Sequence, residues 1–294
     1  MNGRVLAFAL LFAATPAAAG LDPPAWTQPI APFPIVGPIT YVGTQGLAAY
    51  LIRTPQGAIL LDGTMAENVP AIERNIVAAG VPLRDVRWLI NSHAHFDHAA
   101  GLAQLKHDTG ARVAAMAPDV AALESGTPPS DTSYGVVTFP AVKVDRVLHD
   151  GGRVALGGVT LVAALTPGHT PGCTTWSTIV AASSRPLRVV FPCSMTVAGN
   201  RLVGNRGYPA IVSDFRLGLR RLRAMRADVV LTAHPEIAGV LARRDRARAG
   251  ERDAFVDRTL LPRLVDEASS AFAIELARQR QSSAVSGTHR PLGT

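Results

Sequence analysis

A dense group of potential metal ligands follows one apolar segment of the chain. The segment Val86–Ile90 is apolar and β-type, which predicts a buried strand. Directly after it, residues 91–98 read Asn-Ser-His-Ala-His-Phe-Asp-His. In extended backbone, residues two positions apart point to the same side, so His93 and His95 can bind one ion together. Imidazole nitrogen is a common zinc ligand, and this spacing therefore predicts a zinc site at the end of the strand.

Two further ligands in the same run allow a second ion close to the first. Asp97 and His98 lie where the chain turns into the next predicted helix, and a carboxylate beside an imidazole makes a harder site. A surface histidine cluster without metal is the alternative. Phe96 and the apolar strand before the run favour a site anchored on the core, and three of the eight histidines fall in this run.

Two more histidines follow predicted strands. His169 comes after Val159–Leu165 in Pro-Gly-His-Thr-Pro-Gly, and His234 comes after Val229–Leu231 in Thr-Ala-His-Pro. A single loop histidine is a weak indication of a ligand, but open α/β sheets place functional residues at strand ends. We therefore predict that both join the first group. The remaining histidines are predicted to lie at ordinary surface positions, namely His107, His149 and His289.

Alternating strands and helices must position these ligands. The strands predicted from β-type segments are Ile39–Val42, Ala48–Arg53, Ala58–Leu61, Val86–Ile90, Val113–Met116, Val159–Leu165, Thr174–Val180, Leu187–Phe191 and Val229–Leu231. The predicted helices are Glu67–Ala79, Ala99–Thr109, Asp119–Glu124, Asp214–Met225 and one within Asp253–Gln281. The Pro-rich residues 21–40 predict an extended arm. Alternation through two similar halves predicts an α/β fold with sheets between outer helices.

The histidine segments, taken together, resemble the metallo-β-lactamase superfamily. The resemblance rests on His-Ala-His-Phe-Asp-His, on Gly-His-Thr-Pro-Gly and on a late Ala-His-Pro, and it runs from about Tyr41 to about Glu236. It implies an αββα sandwich of two mixed sheets flanked by helices, with a dinuclear metal site between the sheet edges. The implied domain is residues 20–294, in halves of about 41–150 and 151–294.

The resemblance extends to a subclass of the class B β-lactamases. In the first subclass, a cysteine at one strand end binds the second zinc. The corresponding residues 191–196 read Phe-Pro-Cys-Ser-Met-Thr here, and Ser194 occupies the ligand position. His98 then supplies the missing donor, which resembles the third subclass, whereas the second subclass usually has asparagine at the position of His93. The implied ligands are His93, His95 and His169 for one zinc and Asp97, His98 and His234 for another.

The chemistry implied by this resemblance is hydrolysis of a β-lactam. Two zinc ions about 3.5–4 Å apart share a hydroxide, because metal binding lowers the pKa of water to about 7. The hydroxide would attack the amide carbonyl of a penicillin, cephalosporin or carbapenem, while Asp97 orients it and passes a proton to the ring nitrogen. Ser194 and Thr196 are expected to bind the substrate carboxylate and Asn200 its carbonyl. Asp62 fits the family's early acidic turn and is expected to support the ligands; a simple turn aspartate is the alternative.

Other functions share the same ligand pattern. Thioester, lactone and phosphodiester hydrolases occur in the superfamily, so fold and metal alone do not choose the substrate. The export signal described below, the segment 193–196 and the absence of an extra acidic ligand in that segment favour a β-lactamase that gives antibiotic resistance. A periplasmic zinc-binding protein without catalysis is a further alternative.

The two cysteines are predicted to face each other across a hairpin. If Thr174–Val180 and Leu187–Phe191 pair around a turn at residues 183–184, Cys173 and Cys193 become near neighbours across the two strands. Opposed Cβ atoms in such strands lie roughly 4.5–5.5 Å apart, which is near the span of a disulfide. In an exported protein this pair should oxidise. Two free buried thiols are the alternative.

Residues 1–19 have the three parts of a secretory signal. Arg4 gives a positive start, Val5–Ala14 is a short apolar core, and Ala17–Ala19 fits a small-residue cleavage site. We therefore expect cleavage near residues 19–20, export to a bacterial periplasm and no membrane association of the mature chain.

Composition narrows the remaining classes. The chain has 294 residues, of which 48% are hydrophobic and 17% charged, and this excludes a disordered protein. Two cysteines exclude a zinc module built on four thiolates. A net charge of +7 is typical of nucleic-acid binders, but aromatic residues are scarce at 5% and the signal implies export. We expect a basic surface on a monomer that binds no nucleic acid.

Overall fold

The computed structural model describes residues 22–128, 130–133, 135–182 and 185–287. The predicted signal of residues 1–19 and the surface position predicted for His289 lie outside these ranges. Within them, no helix combines the length and the apolar character needed to cross a membrane.

The first sheet has seven strands that lie side by side in chain order. These strands are β1 (Phe33–Val36), β2 (Ile39–Tyr41), β3 (Tyr50–Thr54), β4 (Gly57–Leu61), β5 (Val86–Ile90), β6 (Arg112–Met116) and β7 (Arg146–Leu148). The strands from β1 to β4 pair antiparallel, and those from β4 to β7 pair parallel. The parallel strands end at one edge, so the segments that follow them meet there.

The second sheet has five strands in the order β12-β11-β10-β9-β8. These strands are β8 (Arg153–Leu156), β9 (Val159–Leu165), β10 (Thr174–Val180), β11 (Leu187–Phe191) and β12 (Val229–Val230). Only β11 and β12 pair parallel. Both sheets are therefore mixed.

Seven α-helices flank the sheets in the described part of the chain. They are α1 (Val69–Ala78), α2 (Phe96–Ala99), α3 (Leu102–Thr109), α4 (Ala117–Ser125), α5 (Ile211–Ala224), α6 (Val240–Arg248) and α7 (Leu260–Gly287). Short 3-10 helices precede β1, α1 and β5.

Alternate residues of β3 divide between two hydrophobic cores. Tyr50 and Ile52 belong to a core that also holds Trp176 of β10, whereas Leu51 packs in a second core with Ile72 of α1. Successive side chains of a strand point to opposite faces. The first sheet thus has one face against the second sheet and the other against helices. This is the predicted αββα sandwich.

The predicted hairpin and disulfide are confirmed. The antiparallel register of β10 and β11 pairs Trp176 with Phe191 and Ser177 with Val190. Just beyond the paired residues, Cys173 and Cys193 form a disulfide with their Cα atoms 5.7 Å apart. The bond joins the segments that enter and leave this hairpin.

The helix predicted over Ala99–Thr109 was wrong in its first turn. The chain turns helical earlier, in α2, and α3 begins only after Gly101. The Gly101 N–H donates to the Thr64 carbonyl over 3.0 Å, and a Cβ on Gly101 would lie 2.2 Å from the Gly63 carbonyl oxygen. Close contact with the turn after β4 therefore breaks the helix at a residue without a side chain.

The sequence prediction also missed four elements, namely β1, β7, β8 and α6. Residues 33–36 of the expected extended arm pair with β2 as an edge strand. The short strands β7 and β8 and the helix α6 were not predicted. The α6 sequence, Val-Leu-Ala-Arg-Arg-Asp-Arg-Ala-Arg, has no apolar stripe, so its periodicity gives no helix signal.

We predict that replacing both Cys173 and Cys193 by alanine lowers the free energy of unfolding by about 2–4 kcal/mol, because the disulfide closes a loop of sequence separation 20. Urea unfolding of the oxidised parent and the double variant measures the difference. Equal unfolding midpoints would show that the cross-link does not stabilise the fold.

Candidate metal centre

Six side chains from three distant parts of the chain meet at one edge of the two sheets. Four follow β5 in the segment 93–98, one follows β9, and one follows β12. Two groups of side chains each have their ligand nitrogen or oxygen atoms within 4.8 Å of one another. One group is His93, His95 and His169, and the other is His93, Asp97 and His98. Both groups are buried and compatible with metal ions.

The first group consists of three imidazoles with their ring planes nearly perpendicular. His95 Nδ1 and His169 Nε2 are 3.0 Å apart. The His93 ring centroid lies 5.0 Å from that of His95 and 4.6 Å from that of His169. His169 Nδ1 donates to the Thr196 carbonyl over 2.7 Å, and His93 Nδ1 is 3.0 Å from the Ser92 hydroxyl. The outer nitrogens of these two rings are thus held by the protein, which orients the inner nitrogens toward one another.

The second group is centred on Asp97. Its Oδ2 atom lies 3.1 Å from His98 Nε2 and 3.3 Å from His234 Nε2. The rings of His98 and His234 have centroids 5.0 Å apart. The structure therefore places His234 beside Asp97 and His98, as the sequence predicts, and places His93 between the two groups.

Three buried nitrogens of these rings have no hydrogen-bond partner among the described residues, namely His93 Nε2, His95 Nε2 and His98 Nδ1. An unsatisfied buried polar atom costs roughly 1–3 kcal/mol. A cation that accepts one lone pair from each ring removes part of that cost. Three imidazoles form a typical zinc donor set, and a carboxylate with two imidazoles forms another. The residues present fit two metal ions.

The charges of the site favour its metal-binding form. Burial lowers the pKa of His95 to about 4 and holds the pKa of His93 and of His169 well below the usual value, so these rings are neutral at pH 7. Burial opposes ionisation of Asp97, but His98 and His234 outweigh it and hold the carboxyl pKa well below its usual range. Burial also opposes a charge on His98, yet the Asp97 carboxylate raises the pKa of His98 overall.

Asp62 supports the ligand segment from the end of β4. Its Oδ1 accepts hydrogen bonds from the Ser92 N–H over 2.7 Å and from Asn91 Nδ2 over 3.1 Å, and its Oδ2 lies 3.8 Å from His98 Nδ1. Burial raises the pKa of Asp62 to about 6, and His98 and the Ser92 hydrogen bonds oppose that rise. The residue has a φ of 63°, so the turn that places it here is in the left-handed region.

Asp119 is a second buried support, and the sequence analysis assigned it only to a helix. Its carboxylate accepts hydrogen bonds from the Ala94 N–H over 3.0 Å, the Thr170 hydroxyl over 2.8 Å and the Gly172 N–H over 2.6 Å. It thereby ties the backbone between His93 and His95 to the loop of the second sheet. Its position soon after the end of β6 is the signal that could have revealed it, since the other site residues also follow strands.

The side chains predicted to bind substrate lie in different places. Ser194 Oγ and Thr196 Oγ1 are 3.0 Å apart beside the metal groups, and Thr196 is exposed. Asn200 is fully buried; its Nδ2 donates to the carbonyls of His169 and Val197, and its Oδ1 accepts from Ser130. The predicted contact of Asn200 with the substrate carbonyl was therefore wrong. Its hydrogen bonds instead hold the His169 loop.

An open cleft of about 670 Å³ gives access to both metal groups. Trp26 and Phe96 form one wall, and Val137 and Ile237 contribute apolar surface elsewhere. Trp26 belongs to the arm that precedes β1, and its ring lies 5.4 Å from that of His234. The N-terminal segment 21–40, predicted only as extended, therefore forms part of the site.

Comparisons with known proteins agree with this geometry. Residues 44–234 match the family model of the metallo-β-lactamase superfamily. The structure is similar to the crystal structure of BJP-1, a subclass B3 metallo-β-lactamase of Bradyrhizobium japonicum, with a TM-score of 0.84 and 41% sequence identity. That likeness covers 88% of this chain and 98% of the other.

Curated relatives match over shorter segments. A probable metallo-hydrolase of Burkholderia pseudomallei (strain 1710b) is 31% identical over 103 residues, which are 35% of this chain and 35% of that protein. A hydroxyacylglutathione hydrolase of Rhodospirillum rubrum is 28% identical over 111 residues, or 37% and 36% of the two chains. The chain thus spans about a third of the length of the curated relatives it matches.

We predict that Asp119→Asn weakens zinc binding by about 10- to 100-fold, because an amide NH2 group would face donors that now converge on a carboxylate. Zinc titration against a chromophoric chelator measures the affinity. The matched control is Asp245→Asn on α6, an exposed aspartate paired with Arg244 and remote in sequence from the ligand segments; its affinity should equal that of the parent. Unchanged affinity in Asp119→Asn would contradict the assigned support.

Zinc binding is predicted to release a proton from His98 below the raised pKa of that ring, because His98 must lose the proton that Asp97 stabilises on it. A raised pKa keeps this proton bound above the ordinary pKa, near 6.5, so zinc affinity rises with pH until the raised pKa is passed. Titration calorimetry in two buffers of different ionisation enthalpy counts the proton. His98→Ala should release fewer protons than the parent, whereas His95→Ala should release as many as the parent because His95 is already neutral. Equal heats for the parent in both buffers would overturn this assignment.

Proposed function

We propose that this chain, which belongs to the metallo-β-lactamase superfamily, hydrolyses the amide bond of β-lactam antibiotics with two zinc ions. The observation that carries the proposal is the convergence of five histidines and Asp97 at an open cleft that Thr196 also lines, with the Ser194 hydroxyl 3.0 Å from that of Thr196. His93, His95 and His169 would hold one zinc. Asp97, His98 and His234 would hold the other.

The choice of substrate rests on the extent of each likeness. The similarity to a subclass B3 metallo-β-lactamase covers 98% of that protein at 41% identity. The similarity to a hydroxyacylglutathione hydrolase covers 36% of that protein at 28% identity. The shorter match, to the hydroxyacylglutathione hydrolase, makes a thioester the second candidate substrate. The longer match supports the β-lactam.

Different groups in the cleft would have different roles in hydrolysis. Zinc ions, when bound, polarise the amide carbonyl and lower the pKa of water to about 7. The Asp97 carboxylate orients the attacking water, takes its proton and returns that proton to the ring nitrogen. In this step the C–N bond breaks, the carbonyl carbon gains the oxygen of water, and the nitrogen gains a proton.

The remaining polar groups would position the substrate. Ser194 and Thr196 present two hydroxyls 3.0 Å apart, a spacing that suits hydrogen bonds to the two oxygens of a carboxylate. Trp26 and Phe96 cover one side of the cleft with aromatic surface. No side-chain nucleophile is required, so Ser194 need not form an acyl-enzyme.

We further propose that the protein acts as an exported monomer. The support is the secretory pattern of residues 1–19, which would direct the mature chain of residues 20–294 to the periplasm. Antibiotics that enter a bacterium meet a periplasmic hydrolase before they reach targets on the membrane, so this location suits a role in resistance. The binding partner would be the small-molecule antibiotic, with no nucleic acid.

We predict that the purified protein hydrolyses the chromogenic cephalosporin nitrocefin and that a chelator abolishes the reaction. His93→Ala, which removes the imidazole between the two metal groups, should lower kcat/KM by about 100-fold or more, because bound zinc supplies the nucleophile. His107→Ala, an exposed histidine paired with Asp108, is the matched control and should leave the rate unchanged.

A hydroxyacylglutathione thioester tests the second candidate in the same assay series. If the protein hydrolyses the thioester but not nitrocefin, its substrate is a thioester rather than a β-lactam. Wild-type turnover of nitrocefin by His93→Ala would contradict the metal assignment.

A further inference from the structure

A second cavity of about 600 Å³ adjoins the metal cleft on the far side of the segment 192–199. Four residues line both spaces, namely Thr196, Ala198, His234 and Ile237. The segment 192–199 forms one wall of the second cavity, and helix α7 forms another. We call this cavity the α7 arm. The two spaces therefore adjoin at these four residues.

The surface of the α7 arm is mainly apolar. Leu264, Ala268, Ala271 and Phe272 face it from successive turns of α7, and Met195 lines it from the opposite segment. These positions recur every three or four residues, so a single face of the helix lines the arm. Such a surface favours an uncharged apolar group.

The charged residues at the arm do not favour an anion. Arg278 donates two hydrogen bonds to Glu275, over 2.7 Å and 2.6 Å, so its charge is already matched. Glu267 also lines the arm and forms no ion pair within the described ranges. The acidic excess would repel a negatively charged substituent.

The two hydroxyls proposed to bind a carboxylate lie where the spaces join. Ser194 lines only the α7 arm of these two spaces, whereas Thr196 lines both. In a cephalosporin the carboxylate-bearing ring carbon is bonded to the amide nitrogen on one side and to the substituted ring carbon on the other. With the carboxylate on these hydroxyls and the amide toward Asp97, the substituent would project away from Asp97 and toward the α7 arm.

We infer that the α7 arm binds this substituent, so that cephalosporins with a large uncharged apolar group next to the carboxylate-bearing carbon are preferred substrates. Penicillins have only methyl groups in that region and would leave the arm empty. The inference rests on the proposed function and adds to it a substrate class and a face of α7 that selects it.

The test compares two cephalosporins that differ only at this substituent, one with a methyl and one with a styryl group. Neither group is expelled during hydrolysis, so kcat/KM reports on how well each is accommodated. The parent is expected to prefer the styryl compound. Ala271→Trp fills the arm from an exposed position of α7 and should reduce the preference by about tenfold, the magnitude expected from lost apolar burial.

Two further variants test whether the effect on substrate preference is specific to the α7 arm. Ala268→Leu fills the same arm one turn earlier and should reduce the preference by about threefold, since it adds less volume. Ala273→Trp places the same bulk at an exposed position that lines a different groove, beside α5, and should leave the preference unchanged. Melting temperatures near that of the parent show that each variant is folded.

The outcomes separate this inference from the proposed function. If the parent, Ala271→Trp and Ala268→Leu hydrolyse both cephalosporins with the same preference, the proposed role of the α7 arm is wrong. The β-lactamase activity is unaffected by that result. An equal loss of preference in Ala273→Trp would also overturn the proposed role of the arm. Hydrolysis of neither compound by the parent would overturn the proposed function and this inference with it.

Discussion

Five imidazoles and one carboxylate share a buried space, and their mutual electrostatics is the constraint on which the site depends. Burial keeps His93, His95 and His169 neutral, because each ring would have to be charged away from water and close to other rings. Asp97 stays ionised, since His98 and His234 approach it. The unpartnered nitrogens of the neutral His93 and His95 rings, close to this anion, form a cavity that a cation stabilises.

Support for this cluster comes from cross-links between strand ends rather than from any single loop. Asp62 holds the segment before the ligands from β4, and Asp119 holds the segment between them from α4. Asp119 also binds the loop after β9, and the disulfide ties that loop to the end of β11. The ligands of both sheets are thereby fixed to one another, which limits the reorganisation needed on metal binding.

The segment 192–199 has two roles that follow from its two sides. On one side its Thr196 carbonyl orients His169, and Thr196 lines the metal cleft. On the other side it forms a wall of the cavity against α7. Chemistry and substrate selection can therefore change separately, since residues of α7 line the cavity without belonging to the metal groups.

The sequence predicted most of the strands, the hairpin, the disulfide and the six side chains that the structure brings together. These features depend on side-chain chemistry and on periodicity over a few residues, and both are local. It did not determine the Asp119 network, the burial of Asn200, the contact of Trp26 with the site or the face of α7 that lines the second cavity. Each of these joins parts of the chain far apart in sequence, and only the packing of two sheets and their helices brings such parts together.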